Sequence, residues 1–388
     1  MSGVLRPADR WERLLMRRPA RVLPVLERVV AAEPAPPAQA LLGLFFILER
    51  WGRGPELQHA LEAALERALG PSSAASREEA AELSEALGRL HYQRGDYVQA
   101  CNAWSQTLAL TRNDTRWACL ARIGLAHLCF ALGDWARGGR VLDQAESHYP
   151  RLAGDAYLRA KIGLNRAASR RATVGPQAAI PLLDQAQAAA REAGHRDYEA
   201  ETLWHRARGA RDSGDPAQAL SLVRQALLMA RRCDYRWLQA QCLLLLSDLQ
   251  DEDALAPAEE ALTLGEALQS RAVQAAAHGR LSQLMAERGA LGPSWHHQQQ
   301  RQRLEAMLGQ AAQSTLPAQL EQLARFDNAP VASTSQDDLL AEAAREAAAL
   351  RDALAALAQG QGSGADLQTE LRRWATAAAQ LAQRLSRP

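Results

Sequence analysis

Lysine is almost missing from this chain of 388 residues: of its 45 basic residues only Lys161 is not an arginine. With many alanines and few isoleucines, that bias reads as the base composition of a GC-rich bacterial genome, not as an adaptation for binding. An excess of either charge is also missing. The 45 basic residues face 44 acidic ones, for a formal net charge of +1, so no global attraction to nucleic acid or to an anionic membrane is expected. The arginines are interleaved with acids instead of gathered in a basic stripe, which argues against nucleic-acid binding.

Long apolar runs are lacking too. The longest, Ala40 to Leu48, is about half a membrane span, and Met1 to Arg18 alternates charged and apolar residues in a way no secretory signal does. The expectation is a cytoplasmic protein without membrane insertion. The five cysteines, Cys101, Cys119, Cys129, Cys233 and Cys242, are odd in number and form no CxxC pair. They read as buried free thiols in a reducing compartment, not as disulfides or metal ligands.

Catalytic signatures are missing as well: no GxxxxGK[ST] loop, no GxGxxG after a strand, no HExxH, no GxSxG elbow. The glycine-rich stretch Gly360 to Gly364 follows no strand and reads as a linker. His296 and His297 are adjacent, so they point to different faces of a helix, unlike metal ligands at i, i+4. The expectation is a non-enzyme with no cofactor and no metal.

What is present is a repeat. Gly95-Asp96-Tyr97-Val98-Gln99-Ala100 returns as Gly133-Asp134-Trp135-Ala136-Arg137-Gly138, as Gly175-Pro176-Gln177-Ala178-Ala179 and as Gly214-Asp215-Pro216-Ala217-Gln218-Ala219, at glycine spacings of 38, 42 and 39 residues. Weaker copies follow around Glu252 to Ala258 and Gly289 to Trp295. Apolar residues at i, i+3, i+4 flank each turn, as in Leu83, Leu87 and Leu90 before it and Ala100, Trp104, Thr107 and Leu108 after it. Each unit is therefore a helical hairpin, and a period near 40 without strand-like alternation marks a helical repeat array.

The small and large positions of these hairpins resemble the tetratricopeptide family. A small residue in the first helix, a second one twelve positions on and a bulky apolar residue four further are matched by Gly88, Ala100 and Trp104, by Ala126, Gly138 and Leu142, and by Ala207, Ala219 and Val223. The third repeat shares Ile162-Gly163-Leu164 with Ile123-Gly124-Leu125, then departs, with Asn165 at the small position and two extra residues before Ala179. The resemblance covers roughly 83 to 305, and its period resembles the longer-helix variant of bacterial signalling and regulatory proteins. It implies an all-α, right-handed solenoid whose concave face is built from the first helices and binds a peptide or partner domain.

On that resemblance, the residue after each small position looks into the groove: Arg89, His127, Arg166 and Arg208, a polar and mainly basic ladder, with Tyr92, Phe130, Asn165, Arg170 and Arg211 nearby. Such a face suits an acidic partner or a peptide with a free C-terminal carboxylate. The competing reading pairs these arginines with acids of neighbouring repeats. Trp104, Trp135, Trp204 and Trp237 fall at core spacing and read as packing residues.

The domain organisation expected is an N-terminal helical cap or degenerate repeats over 1–75, a solenoid of about six hairpins over 76–326, a linker over 327–337 and a C-terminal helical hairpin over 338–388. That hairpin carries a narrow heptad seam with Leu367, Leu371, Trp374 and Leu381. The leading functional expectation is a protein- or peptide-binding adaptor or regulator. The alternatives are a ligand-gated sensor and a homo-oligomer assembled through the C-terminal seam.

Overall fold

The computed structural model describes residues 19–70, 77–250 and 253–326. The expected C-terminal linker and seam, with Leu367, Leu371, Trp374 and Leu381, lie outside the described residues. The chain divides into two units, residues 1–324 and 325–388, and the account below concerns the first.

The described residues form an all-α repeat solenoid without strands. Three helices open it: α1 (Pro19–Ala32), α2 (Ala38–Arg50) and, after a 3-10 turn at Gly54–Leu57, α3 (Gln58–Leu69). Leu57, Leu61 and Leu65 are buried with α2, whereas Leu69 at the end of α3 is exposed. Six hairpins follow: α4 (Arg77–Arg94) with α5 (Tyr97–Leu110), α6 (Arg116–Ala131) with α7 (Trp135–His148), α8 (Ala156–Thr173) with α9 (Pro176–Ala193), α10 (Arg196–Asp212) with α11 (Pro216–Arg232), α12 (Arg236–Leu249) with α13 (Leu255–Ala267), and α14 (Arg271–Glu287) with α15 (Leu291–Gln313). Helix α16 (Leu316–Phe326) comes last. Each helix packs on its partner, and the first helix of each pair also packs on the first helix of the next. The first helices α4, α6, α8, α10, α12 and α14 therefore form an inner layer and their partners an outer one.

The recurring turn has a local cause. Gly95, Gly133, Gly175 and Gly214 all have positive φ, the backbone state that ends a helix at little cost only for glycine. The next helix then starts on a cap: Asp134 accepts from the Arg137 amide and Asp215 from the Gln218 amide, both at 2.9 Å. Such a cap stabilises a helix start by about 1 kcal/mol.

Small residues set how closely the layers approach. A Cβ built on Gly88 would lie 2.4 Å from the Trp104 indole, and one on Gly124 would lie 2.2 Å from it. The ring is thus sandwiched between two inner helices and only 1% exposed. The third repeat keeps the same pattern, contrary to the expectation: Ala167, Ala179 and Leu183, at the spacings twelve and four, are all buried, whereas Asn165 is only half-buried. The two extra residues lengthen α8 before its turn and leave the packing register intact, so Ala167 and not Asn165 takes the small position.

The array also touches itself across long sequence distances. Arg50 of α2 donates to Asp197 of α10 at 3.0 Å, Gly52 lies against Leu268 and Arg236, and Arg271 at the start of α14 pairs with Asp96 in the first hairpin's turn. These contacts bring the N-terminal helices to the fourth and fifth hairpins and the turn of the first hairpin to the sixth.

Among the described residues no helix is long and apolar enough to cross a membrane. All five cysteines are free thiols, four buried and Cys233 half-buried, and burial pushes the Cys101 and Cys233 thiols up to about 11 and those of Cys119 and Cys129 up to about 12.

Candidate functional site

The inner layer encloses a cavity of about 300 Å³ lined from α2, α4, α6, α8, α10 and the start of α12, with Trp104 and Trp135 reaching it from the outer layer. Helical periodicity decides which side chains face it. On α10, Asp197, Glu201, Trp204 with His205, and Arg208 follow at three- and four-residue steps and all line the space, which is one stripe of an α-helix.

Aromatic residues are concentrated here. The whole chain has nine tryptophans, six tyrosines and four phenylalanines; four of the tryptophans, four of the tyrosines and Phe130 line this one cavity. The tryptophans expected to be packing residues are thus walls of the cavity. They pack in pairs that hold their planes: Phe130 stacks on Trp135 with centroids 4.9 Å apart, Tyr92 tilts against Trp104 at 5.9 Å, and Trp204 meets Trp237 edge-on at 5.7 Å. Gly138 makes room for the first pair, since a Cβ there would lie 2.2 Å from the Phe130 ring.

Of the residues expected in the groove, the structure brings Arg89, Tyr92, His127, Phe130, Asn165 and Arg208 together on the cavity wall. Arg166, Arg170 and Arg211 do not line it. The reason is the register of the third hairpin. With Ala167 at the small position, the next residue, Ala168, takes the inward place and does line the cavity. Arg166, two residues earlier, is rotated by about 200° to the opposite side of the helix, where it pairs with Asp143 at 2.6 Å and Glu146 at 2.5 Å. Arg170 is exposed, and Arg211 pairs with Asp212 at 3.0 Å and Asp248 at 3.6 Å.

The ladder is also less basic than expected. Arg89 lies 3.4 Å from both Glu49 and Glu85. Burial alone would lower its pKa, but the two carboxylates outweigh that and raise it. His127 is neutral, pushed down to about 4 by burial and by the nearby Lys161. Arg208 has no carboxylate within ion-pair distance among the described residues; it stacks on the Trp204 ring at 4.7 Å. Burial, with Arg171 and Arg211 close by, pushes it down to about 10. A desolvated cation without a counter-charge is costly unless something else supplies one.

At the other end of the α10 stripe the charge is reversed. Asp197, its side chain 2% exposed, is held by Arg50 at 3.0 Å. His195 Nδ1 stands 3.4 Å away, within ion-pair reach. Burial opposes ionisation of Asp197, but Arg50 and His195 outweigh it and hold the carboxyl well below its ordinary value. Arg50 also covers the Phe46 ring at 4.1 Å and donates to the Phe46 carbonyl at 2.9 Å. One turn on, Glu201 accepts from the Tyr235 hydroxyl at 3.4 Å. Burial and the neighbouring Asp197 push Glu201 up to about 7, against the pull of Lys161, Tyr235 and Arg50.

The cavity wall also carries buried polar atoms that lack a partner among the described residues. Trp104 Nε1, Trp204 Nε1 and His205 Nδ1 each belong to a cavity-lining side chain and find no hydrogen-bond partner among the described residues. Buried donors are satisfied in the great majority of native structures, so such groups on a cavity wall mark where a ligand makes its hydrogen bonds. His205 is kept neutral, pushed down to about 3 by burial and by Arg208 and Arg171.

Sequence reasoning missed Arg50, Glu49, Lys161, Asp197 and Glu201. For the last two a signal existed, since each stands at helical spacing before Arg208 on a face already read as inward. For Arg50 none did, because its partner is 147 residues away.

No protein-family model matches the chain, and no curated protein matches it. Among solved structures its fold is similar to that in the crystal structure of Rap protein complexed with competence and sporulation factor. The TM-score is 0.55 and the identity 12%, over 97% of this chain and 97% of that one. At this identity the likeness is one of fold: both are tetratricopeptide-like helical arrays.

Proposed function

We propose that the protein is a non-catalytic regulatory scaffold that receives a short peptide, or the C-terminal segment of a partner protein, in the cavity of its inner layer. One observation carries this reading: the cavity wall combines aromatic surface with two buried donors that lack acceptors among the described residues, Trp104 Nε1 and Trp204 Nε1, and with the half-buried Arg208 guanidinium stacked on Trp204. A peptide supplies what they lack, carbonyl oxygens and a carboxylate for the donors and apolar side chains for the rings. The fold neighbour was captured as a complex with a factor, which supports a binding role for this architecture without specifying the ligand.

The test is a titration of pooled random octapeptides into the full chain, followed by tryptophan fluorescence. A saturable change is expected, weakened at least about tenfold in Arg208→Glu and unaltered in Arg166→Glu. Equal binding by both variants, or no saturable change, would count against the reading.

A second reading, the ligand-gated sensor, is favoured by the Arg50–Asp197 pair. It ties α2 to the cavity-lining stripe of α10, one turn before Glu201, so occupancy of the cavity would bear on the contact that joins distant parts of the array. Hydrogen exchange in α2 that is slowed by a bound peptide would support it, and exchange unchanged at saturation would sink it.

A further inference from the structure

The cavity is polarised along a single helix. Arg208 stands at one end, without an ion-pair partner among the described residues and joined by the charges of Arg171 and Arg211. Glu201 stands two turns earlier, next to Asp197. Seven residues of α-helix separate them, about 10 Å along the axis, and between them Trp204 and His205, each 6% exposed, carry ring nitrogens without partners.

Each end has a chemical requirement. Arg208 needs an anion: stacked on Trp204, its guanidinium presents a planar fork of donors, which suits a carboxylate. Glu201 needs a cation or a proton: its ion-pair contact at 3.9 Å is His205, which burial keeps neutral, and Arg50 is already held by Asp197. The middle needs carbonyl acceptors and apolar surface. A ligand with an ammonium and a carboxylate about 10 Å apart and peptide groups between them meets all three. An extended chain advances about 3.3–3.6 Å per residue, so three residues span the distance, with the reach of the Glu201 and Arg208 side chains leaving room for a fourth.

We infer that the ligand of this cavity is a free zwitterionic peptide of three to four residues, its N-terminal ammonium on Glu201 and its C-terminal carboxylate on Arg208. This rests on the peptide-binding reading above and narrows it. The tail of a folded protein would satisfy Arg208 but offer Glu201 no ammonium, and an N-acylated peptide would fail in the same way. Polarity is set by charge: a peptide in the reverse direction would bring like charges together at both ends. Lys161, on the neighbouring helix α8, lies within electrostatic reach of Glu201 and sets a penalty on the ammonium that Glu201 must outweigh.

The experiment uses the full chain and four chemical forms of one tripeptide library, randomised at each position: free, N-acetylated, C-amidated and doubly capped. Calorimetric titration is run alongside the doubly capped octapeptide pool. The free tripeptides should bind best, with each cap weakening them about ten- to a hundredfold, the loss typical of a charge-assisted contact. Glu201→Gln should abolish the discrimination against N-acetylation and leave that against amidation. Arg208→Gln should do the reverse. The capping series is read on the unaltered protein, so it stands whether or not either variant folds.

If the doubly capped octapeptides bind as tightly as the free tripeptides, the termini are not recognised. The zwitterion assignment then falls while the peptide-binding reading survives. Binding that tolerates N-acetylation but not amidation likewise overturns it in favour of C-terminal tails. Failure of every peptide, short or long, overturns both.

Discussion

Inner and outer helices of this solenoid are built from the same repeat and have opposite interiors. Among the described residues, the only buried polar or charged ones on outer helices are Thr107 and Gln144. Glu85, Arg122, Ser169, Asp197, Thr202, His205, Ser247 and His278 are among those on inner ones. An outer helix meets protein on one face and water on the other, so an apolar stripe of alanine and leucine is enough. An inner helix is covered by its partner on one side and by the rest of the array across the cavity on the other, and its second buried face is free to carry charge and aromatic rings. The contrast teaches that closing the hairpins and recognising a ligand are assigned to different layers, which meet at a few side chains such as Trp104.

The sharpest way to break that division is at Trp104, which belongs to the outer layer but fills the gap between Gly88 and Gly124 of two inner helices. Trp104→Ala should cost about 3–5 kcal/mol of stability, the usual range for removing a buried tryptophan, measured by urea unfolding. It should also widen the cavity.

Within the inner layer, the largest electrostatic effect should come from Asp197→Asn. This leaves Arg50 buried without its counter-charge and should cost about 3–5 kcal/mol. The folded carboxyl lies below its unfolded value, so its stabilisation is present above the ordinary carboxylate range and lost as pH falls through and below that range. Urea midpoints of parent and variant should therefore converge in acid.

Glu201→Gln should act in the opposite direction. With the folded carboxyl raised to about 7 from an ordinary 4.5, the folded protein keeps a proton that the unfolded chain has already released. Its stability therefore falls as pH rises across that window. The variant, an amide at every pH, should be more stable than the parent by about 2–3 kcal/mol at pH 8 and nearly equal to it below pH 5. The groups that face Glu201 are Asp197 and His205 on its own helix, Lys161 on α8, Tyr235 before α12 and Arg50 on α2. Melting temperatures across pH 5–8 test this: parallel curves would mean that Glu201 does not titrate in that window.

The smallest effect is expected outside the cavity. Arg166→Ala removes an exposed pairing with Asp143 and Glu146 on α7, worth about 0–1 kcal/mol. Peptide binding should be unaffected.

The repeat itself was legible because its signals are local. A glycine at positive φ and a capping aspartate act within a few residues, and the spacings of twelve and four between small and bulky residues describe a single hairpin. The third repeat was misread although its signal was present: Ala167, Ala179 and Leu183 carry the spacings, but the match of Ile162-Gly163-Leu164 to the previous repeat drew the register two residues too early. That slip put Arg166 in the groove in place of Ala168. A two-residue error on a helix does not shift a side chain slightly; it turns it to the other side.

The sequence by itself determined the all-α repeat architecture and the glycine turns that join paired helices, because helix periodicity and turn chemistry depend only on neighbours along the chain. Only the tertiary structure decided the electrostatics of the cavity. Arg89 is neutralised by Glu49 of α2, Asp197 is held by Arg50 from 147 residues away, and Arg208 meets no carboxylate within ion-pair distance among the described residues while burial and Asp197 push Glu201 up to about 7. Charge in a desolvated space depends on every group that curvature brings near it, and that curvature is the sum of many hairpin contacts that no single stretch of sequence contains.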